Sequence, residues 1–348
     1  MSPWSFGSCQ LMPRRRGCRV GRDLWGTGAA AAAAVFGLWG FAGDGCWFSA
    51  GSTDGGAVCR RGAAATPPAA SEAEAELRRN VDCLLASGWL PPSSAAAAAD
   101  DGDDDDGASA AAAAAAEALG WRLAPEEAAA LDAQANGEPG RRPSTYGEVT
   151  VQGARQLGHA LGLGLQPRGG DGGNFRFVDL GCGAGQLVAQ AYLEFPSVTH
   201  SLGVELSPTR CAAARDAWSR LCRGGVASEV RRDALSLAGR NGEEPDPAAE
   251  VSFVEGDLFE ADLEEATHVY VASLCFDDDL LGRLARKLAA EKCPSLQVLS
   301  TLRRFPSGVL GFQEAESLEV EMSWTVDSGG GAMTYVYRRC EGHSTLQK

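Results

Sequence analysis

From Gly172 onward the chain alternates between short runs of β-branched and aromatic residues and longer stretches with apolar positions three and four apart. A period of two marks a strand and a period near 3.6 a helix, so the alternation predicts a parallel sheet with helices on both faces. Strands are expected at Phe175–Leu180, Ser201–Leu206, Glu250–Val254, His268–Ala272 and Leu296–Thr301. After the second, Ser207 caps a helix with Pro208 in its first turn, where a missing N–H costs nothing. Its buried stripe is Cys211, Ala214, Trp218 and Leu221. After the fourth, a helix starts at Asp277, with aspartates at its positive end and Arg286, Lys287 and Lys292 towards its negative end. Past Thr301 the helical period stops. Ser317–Val326 and Thr334–Arg339, joined by Asp327-Ser328-Gly329-Gly330-Gly331, read as an antiparallel hairpin closing the sheet.

Upstream the pattern thins, and three segments are expected. Residues 1–70 form a low-complexity or targeting tail, residues 71–139 a partly helical extension, and residues 140–340 the main folded domain. In the tail, Arg14, Arg15, Arg16, Arg19 and Arg22 precede an uncharged stretch, 24–42, that resembles a signal anchor or organellar targeting segment. Glycines at 26, 28, 37 and 40 dilute its hydrophobicity, which favours a low-complexity tail over a membrane span. In the extension, helices are expected at Glu72–Leu85 and Ala114–Gln134, separated by the acidic run DDGDDDDG at 100–107, a solvated linker.

Composition narrows the partners. A net charge of −15 over 348 residues argues against a domain that holds nucleic acid through its own field and suits a cationic partner. Eleven cysteines without a C-x-x-C pair, and four histidines far apart, predict neither a disulfide framework nor a metal site.

The chemistry concentrates at FVDLGCGAGQ, residues 177–186. Glycines at 181, 183 and 185 follow a strand, as they do in nicotinamide, nucleoside phosphate and S-adenosylmethionine (SAM) sites. The spacing G-x-G-x-G departs from the dinucleotide fingerprint G-x-G-x-x-G. Asp179, just before the first glycine, would repel a pyrophosphate but accept hydrogen bonds from an ammonium group. Glu205 closes the second strand, where nucleotide folds place a carboxylate on the ribose hydroxyls, a feature common to NAD and SAM sites. Asp257 closes the third, where it can accept from an adenine amino group while Leu258 covers the ring. Three carboxylates at the carboxyl edge of successive strands favour SAM over NAD.

With these residues the chain resembles a class I SAM-dependent methyltransferase. Three stretches sharpen the resemblance: Thr145-Tyr146-Gly147-Glu148-Val149-Thr150, Asp179–Gln186, and Ser323-Trp324-Thr325 followed by Thr334-Tyr335-Val336-Tyr337. Over roughly 140–340 they are similar to the disruptor-of-telomeric-silencing (Dot) family, non-SET enzymes that methylate a lysine of histone H3 in the nucleosome core. The resemblance implies an α/β, Rossmann-like, seven-stranded and mostly parallel sheet with a C-terminal antiparallel hairpin. It implies SAM as cofactor, histone H3 or the nucleosome as basic partner, and the nucleus as location, with organellar targeting as the alternative. By the same resemblance Tyr146, Glu148 and Thr150 fold over the methionine end of the cofactor. Gln186 touches the cofactor beside Gly181, Gly183 and Gly185. Trp324 and Tyr335 wall a lysine channel. One departure stands out: asparagines common in the family after the fourth strand are replaced by Ala272 and Ser273, and Ser273 is the candidate for their hydrogen bond. That departure keeps open a SAM-binding module without turnover, or a methyltransferase of a non-histone protein. The only basic segments offered to DNA are the Arg14–Arg22 cluster and Arg60-Arg61.

Overall fold

A computed structural model describes residues 71–89, 122–134, 144–164 and 173–340. The chain divides into Met1–Thr66 and Pro67–Lys348, and everything described belongs to the second unit. The expected tail with its arginines, the acidic run 100–107 and the helical stretch 114–121 lie outside the described residues.

Seven strands form a single sheet in the order β3-β2-β1-β4-β5-β7-β6. They are β1 (Phe175–Leu180), β2 (Val198–Glu205), β3 (Val251–Glu255), β4 (His268–Val271), β5 (Val298–Thr301), β6 (Phe312–Val320) and β7 (Ala332–Arg339). The first five are parallel, and β7 runs antiparallel to both β5 and β6. Each expected strand is present, with bounds shifted by a few residues. The expected hairpin pairs as anticipated, but its first arm is displaced: β6 spans Phe312–Val320, so Ser323, Trp324 and Thr325 lie in the connection to β7.

Helices cover both faces. On one lie α1 (Glu72–Trp89), α3 (Val151–Leu161), α4 (Gln186–Glu194), α5 (Pro208–Arg223) and α6 (Val226–Leu237), packed on Phe177, Phe253, Tyr270 and Val298. On the other, α8 (Asp278–Lys287) places Leu281 and Leu284 over Val178, Leu180, Val269 and Leu299. Two shorter helices, α2 (Pro125–Gln134) and α7 (Pro247–Glu250), complete the set. Asp277 caps α8 by accepting from the N–H of Leu280 at 2.7 Å. No helix among the described residues is long and apolar enough to cross a membrane.

Packing does not stop at residue 140. The helix expected at 72–85 runs on to Trp89, and its Leu77, Val81, Leu84, Leu85 and Trp89 are buried in the cluster that holds Val188, Trp218 and Phe253. The Trp89 indole N–H donates to the carbonyl of Ala184 at 2.6 Å, so this helix grips the glycine loop directly. The sequence reading passed over α6, although Ala227, Val230 and Ala234 recur at helical spacing and are buried. From α6, the Arg231 guanidinium donates to the carbonyls of Tyr192, Phe195, Pro196 and Val198, tying the turn between α4 and β2. Burial lowers its pKa to about 10.

Removing the α1 anchor should therefore destabilise the whole domain. Trp89→Ala is expected to cost about 3–5 kcal/mol in urea unfolding, while Glu76→Ala, on the exposed side of the same helix, should cost less than about 0.5 kcal/mol. Equal, small effects would show that α1 is peripheral.

Candidate functional site

The strand order reverses direction between β1 and β4, the place where an open α/β sheet leaves a crevice at its carboxyl edge. A cavity of about 500 Å³ opens there, within the range of sites that enclose a cofactor-sized molecule. Its lining comes from the ends of β1 to β4, the glycine loop, the segment 145–149 and Trp324.

Glu205 organises the loop. One carboxylate oxygen accepts from the N–H of Gly183 at 2.8 Å and the other from the N–H of Ser207 at 2.9 Å. A carboxylate oxygen has two lone pairs, so each retains capacity for one further donor. Gly185 serves packing: a Cβ there would lie 2.4 Å from the Phe253 ring and 2.9 Å from Ala214, with φ at +85°. Glycine is the residue that meets both demands.

A strap crosses the cavity from the other side. Ser144 is held by Asp132 of α2 and by Arg210, whose guanidinium donates to the Ser144 carbonyl at 2.6 Å and stacks 4.7 Å from the Tyr146 ring. Beyond it, Glu148, Val149 and Thr150 pair with 321–323, through Ser323 N–H to the Glu148 carbonyl at 2.8 Å and Thr150 N–H to the Glu321 carbonyl at 3.2 Å. Gly147 allows Trp324 to close over the strap, since a Cβ would lie 2.3 Å from its ring. The Tyr146 hydroxyl donates to Glu148. Glu127 of α2 accepts from the hydroxyls of Ser207 and Thr209 at the start of α5, so the segment before residue 140 supports this wall too.

Negative charge dominates the interior. Glu148, Asp179, Glu205 and Asp257 all line the cavity. Burial, then the carboxylates of Glu205 and Glu148, push the Asp179 pKa well above the usual range, and its Oδ1 is buried without a hydrogen-bond partner. Burial likewise raises the Glu148 carboxyl, against the opposing pull of Tyr146 and Arg210. Apolar walls come from Leu187, Val204, Leu206, Leu258 and Phe276. Such a site suits a ligand with a cationic end, a hydroxylated middle and a flat apolar end. SAM has that make-up, and Asp179 Oδ1 has the chemistry to accept from an N–H donor. A pyrophosphate would face Asp179 and Glu205 unfavourably.

Of the residues singled out from sequence, Tyr146, Glu148, Asp179, Gly181, Gly183, Glu205, Asp257, Leu258 and Trp324 meet around this cavity. Asp257 is solvent-exposed and also accepts from the N–H of Phe259 at 2.9 Å, so it shapes the turn as well as the rim. Five others stand outside the lining. Thr150 caps α3, accepting from the N–H of Gly153 at 3.0 Å and donating to Glu321. Gly185 packs on Phe253, and Gln186 is the half-buried first residue of α4. Ser273 is fully buried, its hydroxyl accepting from the N–H of Arg303 at 3.0 Å. Tyr335 stacks under Arg304, 4.7 Å from its ring centre. Lining residues that the sequence reading passed over include Arg210, Tyr270, Leu274, Cys275 and Phe276. Tyr270 was within reach, because aligning the polar ends of β1 and β4 puts it beside Asp179.

The segment that builds the strap, the loop and the Trp324 connection is also the segment with a known counterpart. Residues 143–330 match the family described as histone methylation protein DOT1. The chain belongs to the DOT1 histone methylation family. It is accordingly a methyltransferase of the DOT1 type. No curated protein matches it in sequence. Among solved structures, an RNA methyltransferase from Salinibacter ruber in complex with S-adenosyl-L-homocysteine is 19% identical, covering 54% of this chain and 90% of its own, with a TM-score of 0.31. A magnesium protoporphyrin IX methyltransferase from Synechocystis PCC 6803 with bound SAM is 13% identical, covering 63% and 99%, with a TM-score of 0.36. An rRNA methyltransferase from Streptomyces viridochromogenes is 17% identical, covering 56% and 86%, with a TM-score of 0.34.

The charge in the DOT1-type cavity gives a testable pH dependence. Because the folded pKa of Asp179 is raised, the folded protein binds that proton more tightly than the unfolded chain. This contribution is fully present below the unfolded value of about 3.9 and is lost as pH rises through the folded value. Asp179→Asn should therefore raise the melting temperature of the ligand-free protein at pH 8, by about 2–4 °C per kcal/mol relieved, with little change near pH 4. A lower melting temperature at pH 8 would contradict this account of the site.

Proposed function

We propose that this chain transfers a methyl group from SAM to a lysine side chain of histone H3 in the nucleosome, acting in the nucleus. The observation that carries the proposal is the carboxylate-lined cavity closed by Tyr146, Gly147 and Trp324, inside the segment that matches the DOT1 family. When bound, SAM supplies a methyl group already activated by an adjacent positive sulfur. Asp179 would hold the ammonium of the methionine end, Glu205 the ribose hydroxyls, and Asp257 with Leu258 the adenine. Charge-assisted hydrogen bonds of this kind contribute about 1.5–3 kcal/mol each.

The chain's remaining task is alignment and exclusion of water. Tyr146 and Glu148 cover the cavity from the strap, and Trp324, 44% exposed, stands where an incoming side chain meets the rim. A lysine inserted past an aromatic wall loses solvent, which favours its neutral, nucleophilic form. No side chain is needed as a base once the amine enters neutral, so the burial of Ser273 away from the cavity is compatible with turnover. The overall charge of −15 complements a basic protein, and the nucleosome would be engaged chiefly through histone rather than DNA.

Incubation with labelled SAM and nucleosomes, free histone H3 or other basic proteins tests the reading. Label in an H3 lysine is the expected result. Label only in other proteins would move the substrate outside chromatin, and SAM binding with no label in any lysine would leave a binding module. Trp324→Ala should lower turnover about 10–100-fold with SAM affinity changed less than about threefold, because the ring borders the acceptor side of the cavity. A loss confined to SAM affinity would reassign Trp324 to the cofactor.

A further inference from the structure

Two buried polar atoms that line the cavity lack partners among the described residues: Asp179 Oδ1 and the hydroxyl of Tyr270. Their residues are neighbours in the sheet. Asp179 on β1 is in register with Tyr270 on β4, and both side chains rise from the same face of the sheet. The Tyr270 ring is packed in the cluster containing Val149, Leu187 and Leu302, which fixes its direction while leaving the hydroxyl unsatisfied. The other tyrosine in the cavity, Tyr146, already spends its hydroxyl on Glu148.

The two orphans differ in kind. An ionised carboxylate only accepts, whereas a phenol donates. Burial and the negative charge of Asp179 raise the Tyr270 pKa well above its ordinary value, so it stays protonated and remains a donor. An amino-acid head group carries an ammonium, which needs an acceptor, beside a carboxylate, which needs a donor. Asp179 satisfies the first and would repel the second. We infer that the Tyr270 hydroxyl donates a hydrogen bond to the carboxylate of the SAM methionine head group, while Asp179 accepts from its ammonium. This inference rests on the SAM reading above. It makes Tyr270 a determinant of specificity for nucleosides bearing a complete amino-acid tail.

Calorimetry with three ligands on the wild type, Tyr270→Phe and Asp179→Asn tests it. The ligands are S-adenosylhomocysteine, its decarboxylated analogue, which keeps the amine, and 5′-methylthioadenosine, which has neither group. Tyr270→Phe should weaken S-adenosylhomocysteine about tenfold or more, and should leave the other two within about twofold. Asp179→Asn should weaken both amine-bearing ligands and spare methylthioadenosine. Because the hydroxyl has no partner among the described residues, Tyr270→Phe should not lower the melting temperature of the ligand-free chain. Equal weakening of S-adenosylhomocysteine and its decarboxylated analogue, no weakening of either, or a lower melting temperature would overturn the inference alone. Failure of the wild type to bind S-adenosylhomocysteine would overturn the cofactor reading and the inference with it.

Discussion

Asp179 Oδ1 lies buried beside Glu205 and Glu148 with no hydrogen-bond partner among the described residues, and the cavity around it is built to hold that arrangement in place. A buried carboxylate in such company is unfavourable unless it is protonated or paired. The remaining structure over-determines the position. Glu205 is fixed by the N–H groups of Gly183 and Ser207, the glycine loop is gripped by Trp89, and β1 is central in the sheet. An N–H cation placed against Asp179 Oδ1 would offset the cost of its burial.

The same logic explains why the segment before residue 140 is part of the domain. A glycine loop with Gly181, Gly183 and Gly185 at positive φ has few side chains of its own to hold it. Its support has to come from elsewhere. Trp89 supplies a hydrogen bond to Ala184, and Glu127 fixes the start of α5 beside Glu205. Asp132 and Arg210 hold Ser144 at the root of the strap. Composition alone made the upstream region look peripheral, because alanine runs and acidic residues dilute the apolar positions that pack. Leu77, Val81, Leu84 and Leu85 nonetheless recur at helical spacing and are all buried.

Sheet and loop were legible because they follow short-range rules. Strand runs are short and rich in β-branched and aromatic residues, glycines at 181, 183 and 185 mark a turn, and Ser207-Pro208 marks a helix start. What escaped depends on register between distant strands. Trp324 read as part of a strand, yet β6 ends at Val320 and the pairing of 321–323 with the strap takes over, which delivers the ring to the cavity. Thr150 read as a cofactor contact, and its hydroxyl caps α3 instead of lining the cavity. Tyr270 drew no attention in the sequence, since its significance appears only when β4 is laid against β1.

That last point bears on how such a site tolerates change along its edge. After β4 the chain carries Ala272 and Ser273, and Ser273 is spent on the backbone of Arg303. Polarity on this side of the cavity therefore comes from inside the strand, at Tyr270, and from the strap, at Tyr146 and Glu148. A hydroxyl set in the sheet is more rigid than one on the loop that follows, because flanking strands and the packed ring fix its direction. A loop freed from carrying polar contacts can present Leu274, 51% exposed, to the same cavity that Trp324, 44% exposed, borders. The interior of the cavity thus rests on the sheet, and its rim carries exposed apolar side chains. Rigidity is kept inside the cavity, and adaptable surface at its mouth.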